Sequence, residues 1–131
     1  LERYLSLNAL CERLGLEPTE PGSVGRIEAL FAEGDPAVLG WIAEVAPLMR
    51  QMINMIEMML DPEALILGGI IRPDFLQALL DSASPLPRRL DGSLEEDRIR
   101  IGTSGATAVA LGATAAAVDA LYAPSVSHLL L

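Results

Sequence analysis

The chain has 131 residues, a formal net charge of −9 at pH 7 and 51% hydrophobic residues. Its length fits one domain with a substantial core, and its hydrophobicity excludes an intrinsically disordered chain. The acidic balance repels phosphate backbones, which argues against direct nucleic-acid binding by this segment. The single cysteine excludes an intrachain disulfide and a cysteine-rich metal site, so we expect a reduced, cytoplasmic protein.

Two amphipathic helices are predicted in the first part of the chain. The first spans Leu1–Leu14 and ends at Gly15, a natural C-cap. The second spans about Val24–Glu33, with Ser23 as its N-cap. Prolines and glycines between the two helices predict a loop.

A long helix from Pro36 to Leu60 follows, with Asp35 as its N-cap. Apolar residues recur at helical spacing throughout, and Pro47 predicts a kink or a restart. Trp41 and Leu48 are expected to extend the apolar surface of this helix towards a second subunit. The polar residues predicted on the opposite side are Glu44, Gln51, Asn54 and Glu57. The methionines, which indicate either an adaptable core or a subunit interface, are Met49, Met52, Met55, Met58 and Met59.

Short strands and further helices are predicted after Pro62. The aliphatic run Ala64–Leu67 is typical of a buried parallel strand. Gly68 and Gly69 then mark a sharp turn or the close approach of a ligand. The remaining predicted elements are a helix at Pro73–Ala83, a half-buried strand at Arg98–Ile101, a turn at Gly102–Gly105 and a helix at Ala106–Tyr122.

Two apolar segments have the length of a membrane span, but neither is expected to cross a membrane. Val38–Leu60 contains three charged residues, and Ile101–Val118 is mostly Ala, Gly and Thr. Such residues give little drive for insertion into lipid. We expect the second segment to be a tightly packed buried helix.

Three stretches together resemble the C-terminal half of ROK proteins, the family of repressors, open reading frames and kinases. The first is Asp61–Gly69, which follows a long helix that begins after Gly34-Asp35-Pro36. The second is Leu1–Ser6, which resembles the residues that follow the last cysteine of the family's zinc-binding signature. The third is the small-residue pattern from Gly105 to Ala113. The resemblance implies an α/β fold: a fragment of an actin-like ATPase or ribonuclease H-like domain, mostly helical with two or more short strands. Residues 1–131 would form the C-terminal part of a sugar-binding domain whose upstream half is absent.

The resemblance also implies binding residues. Glu2 matches the glutamate that contacts a sugar hydroxyl, although an acidic residue in a first helical turn is also ordinary. Gly68 and Gly69 match glycines that line the nucleotide site of the family's kinases, although a tight turn alone would account for them. Ile70-Ile71 stands where many members keep a third glycine, and this departure argues against ATP binding.

No catalytic or metal-ligating residue is predicted in this chain. Gly102, Thr103, Ser104 and Gly105 are weak candidates for contacts to an adenosine, since a turn with an N-cap is the favoured explanation for them. His128 has no visible catalytic partner. Zinc and ATP are implied only for a complete family member, and no cofactor is assigned to this stretch.

The favoured function is the effector-binding and dimerisation region of a sugar-responsive ROK-type transcriptional regulator. Its expected partners are a sugar or sugar phosphate and a second copy in a homodimer, without direct contact to nucleic acid or membrane. One alternative is the C-terminal lobe of an ATP-dependent ROK sugar kinase, in which an upstream aspartate would act on the sugar hydroxyl. The other is a helical interaction domain whose resemblance to the family is accidental.

Overall fold

The computed structural model describes residues 3–87, 98–103 and 107–122. This part of the chain is mostly helical and contains one two-stranded parallel sheet, so it is of mixed α/β composition. In chain order its elements are α1 (Leu7–Leu14), α2 (Ser23–Ala32), α3 (Pro36–Leu60), β1 (Leu65–Leu67), α4 (Pro73–Ala83), β2 (Ile99–Ile101) and α5 (Ala108–Tyr122).

Helix α3 has the predicted bounds. The Asp35 carboxylate accepts hydrogen bonds from the backbone N–H groups of Ala37 (2.8 Å) and Val38 (3.2 Å), which caps the first turn. The helix is continuous across Pro47, so the restart that this proline predicted is absent. Buried side chains on both sides of the proline, including Val45 and Met49, offset the loss of one backbone hydrogen bond.

Helix α1 begins at Leu7 rather than at Leu1, because Ser6 acts as its N-cap. The Ser6 hydroxyl accepts a hydrogen bond from the Ala9 N–H at 3.2 Å. The predicted end of this helix is confirmed: Gly15 has a left-handed φ of 66°, which glycine adopts without steric cost.

Helix α2 includes Ser23, which was predicted to be its cap. The Ser23 hydroxyl is not bonded to the helix; it donates a hydrogen bond to the Glu17 carbonyl oxygen at 2.7 Å and so holds the preceding loop. Gly22 occupies the cap position with a φ of 106°. A longer-range backbone contact therefore competes successfully with local capping.

The core is built around α3, against which α1, α2 and α4 pack. Its largest fully buried side chains are Phe75, Leu10, Ile27, Met49, Ile53 and Val38. The Phe75 ring meets Phe31 edge-on at a centroid distance of 5.0 Å and lies 6.3 Å from Trp41. Trp41 is thus buried in the core, and the prediction that it extends an outer surface is wrong.

Arg50 of α3 holds the carboxyl end of α4. Its Nε donates to the Ala83 carbonyl oxygen at 2.6 Å, and its Nη2 donates to that of Ser84 at 3.1 Å. The last carbonyl groups of a helix lack partners inside the helix, and a cation there also complements the helix dipole. This arginine therefore fixes where α4 ends relative to α3.

Strands β1 and β2 pair in parallel, with Leu65 opposite Ile99 and Leu67 opposite Ile101. The strand and its parallel pairing are confirmed, as is the half-buried pattern of β2. The full burial expected for β1 is wrong, because Ile66 is 70% exposed. The helices cover one face of this sheet, and the described residues do not cover Ile66 on the other.

Helix α5 was predicted to be buried, and this prediction is wrong. Its described side chains are exposed, among them Leu111, Leu121 and Tyr122. Alanine and glycine bury little apolar area per residue, so a helix rich in them is only weakly driven into a core. None of the described helices is long and apolar enough to cross a bilayer.

Candidate functional site

A cleft of about 240 Å³ lies at the carboxyl end of β1. Its walls come from α3, from α4, from residues 5–7 at the start of α1 and from the glycine pair after β1. Representative lining residues are Leu5, Ser6, Trp41, Met52, Gly69 and Phe75. In open α/β sheets, ligands bind in the crevice outside the carboxyl ends of parallel strands. The position of this cleft therefore makes it the candidate ligand site.

The two glycines after β1 border open space. A Cβ atom added to Gly68 or Gly69 would have no neighbour within 4 Å, and neither residue has a φ in the left-handed region. The following strand passes close by, since the Gly102 N–H donates to the Leu67 carbonyl oxygen at 2.8 Å. Neither crowding nor a special backbone conformation thus explains why both residues are glycine. What the two glycines provide is space for another group to approach the backbone.

The described part of the cleft lining is chemically uniform. It consists of aromatic, thioether and aliphatic side chains together with the glycine backbone, and none of the described charged side chains contributes to it. Ser6 supplies the polar side chain. Its oxygen accepts the Ala9 N–H, and its own proton can still be donated to a ligand. The site therefore offers apolar contact and one hydrogen bond.

A second feature is an exposed apolar surface at the end of α3. Its members, which we call the methionine surface, are Met55 (48% exposed), Met58 (60%), Met59 (74%) and Leu60 (71%). Leu60 lies two helical turns after Ile53, which is fully buried, so it continues the side of α3 that faces the core. The apolar stripe of α3 thus extends beyond the helices that cover it.

A buried ion pair joins α3 to the start of β2. Arg98 Nε lies 2.5 Å from Glu57 Oε1, and Nη2 lies 3.4 Å from Oε2. The Nε–H is not aligned with the carboxylate, so attraction between the charges dominates that contact. Nη2 also donates to the Pro87 carbonyl oxygen. Glu57 was placed among the solvent-facing polar residues, and this prediction is wrong because the residue is 7% exposed.

The described residues contain no cluster of His, Cys, Asp and Glu able to hold a metal ion. Cys11 is buried, and this burial, with a smaller contribution from the Glu17 charge, raises the pKa of its thiol. A buried thiol with a raised pKa is a poor nucleophile and a poor ligand. Cys11 therefore serves as a core residue of α1.

The structure places two of the predicted site residues at the cleft. Gly68 and Gly69 line it together with residues 5–7. Glu2 itself, Ser104, Gly105 and His128 lie outside the described residues, and Thr103 is exposed.

The roles of Trp41 and Phe75 as cleft walls were missed by sequence reasoning. Both residues read as ordinary apolar positions of an amphipathic helix. The aromatic type of the two residues was the available signal, because aromatic side chains are common in ligand pockets.

No protein-family model, curated protein or solved structure matches this chain. The assignment of a function therefore rests on the residues and geometry described above.

Proposed function

We propose that the chain is the effector-binding and dimerisation region of a sugar-responsive transcriptional regulator of the ROK family. The observation that carries the proposal is the methionine surface. Met55, Met58 and Met59 are exposed on one side of the end of α3, and Leu60 is exposed on another side of the same turn. Exposed apolar surface of this kind marks interaction sites, and methionine is enriched at the cores of protein interfaces.

The order of elements supports the family part of the proposal. The Asp61–Gly69 stretch supplies the end of α3, the strand β1 and the glycine pair, and α4 follows. This is the arrangement expected from the resemblance. An actin-like or ribonuclease H-like domain, of which this chain forms the C-terminal part, belongs to the same proposal.

The mechanism couples a sugar to the placement of subunits. A sugar or sugar phosphate held by Glu2 stabilises one arrangement of the domain over another, and it shifts the equilibrium by its difference in affinity for the two. The homodimer transmits this shift to DNA-reading helices elsewhere in the regulator, whose separation must match the half-site spacing. This acidic chain takes no part in DNA contact.

Dimerisation is tested by sedimentation equilibrium over a range of protein concentrations. The wild-type chain should dimerise, and Met58→Glu should weaken the dimer at least about tenfold, because a carboxylate is costly to bury in an apolar interface. Leu39→Glu is the matched control, since Leu39 is a half-exposed apolar residue of α3 outside the methionine surface. A strictly monomeric wild type, or equal weakening by both variants, would contradict the proposal.

Sugar response is tested with the complete product of the gene that encodes this chain. Binding to its own promoter DNA should change on addition of one sugar from a panel of hexoses, pentoses and their phosphates. Glu2→Gln should raise the sugar concentration required at least about tenfold, because a charged hydrogen bond is lost. A sugar response that is unchanged in Glu2→Gln would remove that residue from the site.

A sugar kinase is the second candidate, and the open space beside Gly68 and Gly69 favours it. Glycines at the carboxyl end of a parallel strand allow phosphate groups to approach the backbone. The discriminating measurement is ADP release by the complete gene product in the presence of ATP and the same sugar panel. Sustained turnover that Gly68→Val abolishes would replace the regulator with the kinase.

A further inference from the structure

The cleft at the carboxyl end of β1 is suited to a ligand other than a sugar or a sugar phosphate. We propose that it binds a compact, uncharged molecule built on an aromatic or aliphatic ring. The inference does not rest on the proposed regulator function, which concerns a sugar near Glu2 and the methionine surface.

The size of the cleft sets the first limit on its ligand. Its volume of about 240 Å³ exceeds the roughly 150 Å³ of a dry cavity lined by leucine, isoleucine and phenylalanine that holds benzene. A single six-membered ring with a small substituent therefore fits.

The lining favours a ring over an open chain. Trp41 and Phe75 contribute aromatic surfaces, which prefer offset or edge-on contact with another ring. Met49 and Met52 contribute thioethers, which make favourable contacts with aromatic rings and adapt to irregular shapes. These four side chains are all held by helices that pack in the core, so the site is largely formed before a ligand enters.

Charge and hydrogen-bonding capacity exclude the more polar classes. Among the described residues no charged side chain lines the cleft, and the chain as a whole carries a charge of −9, which disfavours an anionic ligand. A sugar would lose water from several hydroxyl groups and regain few hydrogen bonds, which is unfavourable. The Ser6 hydroxyl can donate one hydrogen bond to an acceptor on the ligand.

The glycine pair offers an approach to the cleft. Among the described residues, no atom lies within 4 Å of a Cβ added to Gly68 or Gly69, so a molecule can approach there without displacing any of their side chains. Packing and backbone conformation do not require glycine at these two positions, but ligand entry would benefit from it.

Trp41 provides a direct test, because it is the single tryptophan of the chain and lines the cleft. The wild-type chain is titrated with toluene, and with D-glucose as a polar molecule of similar size, while tryptophan fluorescence and the methyl NMR signals of the methionines are recorded. Toluene should give a saturable change in Trp41 emission and shift the methyl signals of Met49 and Met52. D-Glucose should give neither change.

Two variants and a matched control locate the binding. Met52→Gln should raise the dissociation constant for toluene about fivefold to tenfold, because a polar amide replaces an apolar wall. Gly69→Val should weaken binding by narrowing the entrance, and it introduces no backbone strain. Met55→Gln makes the same change on the same helix outside the cleft and should leave the dissociation constant within about twofold, since it removes no contact to the ligand.

Three outcomes would overturn the proposal. The first is a change in Trp41 emission that rises linearly up to the solubility limit of toluene, which indicates partitioning rather than a site. The second is equal weakening by Met52→Gln and Met55→Gln. The third is toluene binding that falls as protein concentration rises, which would show that a second copy of the chain fills the cleft.

Discussion

The two halves of α3 have similar apolar composition and opposite surroundings. From Val38 to Ile53 the inward side of the helix is buried by α1, α2 and α4. From Met55 to Leu60 four apolar side chains are exposed, Ile56 is half-buried, and Glu57 alone in that stretch is buried. An apolar stripe therefore indicates which side of a helix seeks burial, while the neighbouring elements decide how far along the helix burial extends.

Removing the buried carboxylate in the second half of α3 should give the largest change in the free energy of unfolding. Glu57→Ala leaves Arg98 buried without its carboxylate, so we expect a loss of about 3–5 kcal/mol in the free energy of unfolding. Glu44→Ala is the control on the same helix. Glu44 lies 2.5 Å from Arg13 Nη1 in an exposed pair, and its loss should change stability by about 0–1 kcal/mol. Urea denaturation of both variants measures the difference, and equal effects would show that burial does not separate the two ion pairs.

A pair of methionine substitutions compares the two halves directly. Met49 is 1% exposed and Met58 is 60% exposed. Met49→Ala should cost about 2–5 kcal/mol of unfolding free energy, because it removes buried surface and leaves a cavity. Met58→Ala should change it by less than about 0.5 kcal/mol at concentrations where the chain is monomeric. Equal losses in thermal or urea unfolding would mean that the end of α3 is covered in solution.

The stability of the first turn of α3 depends on its N-cap residue, Asp35. Asp35→Ala removes the acceptor for the first two free N–H groups of α3 and should cost about 1 kcal/mol. Asp35→Asn keeps an oxygen in the same place and should retain most of that stability. Urea denaturation checks both variants. A full loss in the asparagine variant would assign the effect to the charge of Asp35 rather than to its hydrogen bonds.

The smallest expected change in stability comes from a substitution on the exposed side of the first half of α3. Gly40 is exposed within α3, and an added Cβ would meet no atom within 4 Å. Gly40→Ala should therefore raise the unfolding free energy by about 0.5–1 kcal/mol, because alanine restricts the unfolded chain and favours the helix. Gly15→Ala makes the same change at a left-handed φ and should destabilise the protein. Thermal unfolding of the two variants should show opposite shifts in Tm.

Local signals predicted the parts of the fold that local chemistry determines. Asp35-Pro36 and Pro62 gave the start and the end of α3, and alternation gave β2. The exposure of Ile66 was not predictable in this way, because it depends on whether a second layer covers the sheet. The pairing of Glu57 with Arg98 depends on tertiary structure, since it joins residues far apart in the chain.

The candidate site was predictable only in its glycine loop. Gly68 and Gly69 were found because a short apolar strand followed by glycines is a local pattern. Trp41 and Phe75 meet at the cleft because α3 and α4 pack side by side, and no spacing within the sequence encodes that meeting. The role of Glu2 stays a prediction.

The two hydrogen bonds from Arg50 constrain how this domain can move. If α4 slid along α3, both charge-assisted bonds to Ala83 and Ser84 would break, so shear between these helices is opposed. We therefore expect α3 and α4 to travel as one rigid body in any conformational transition.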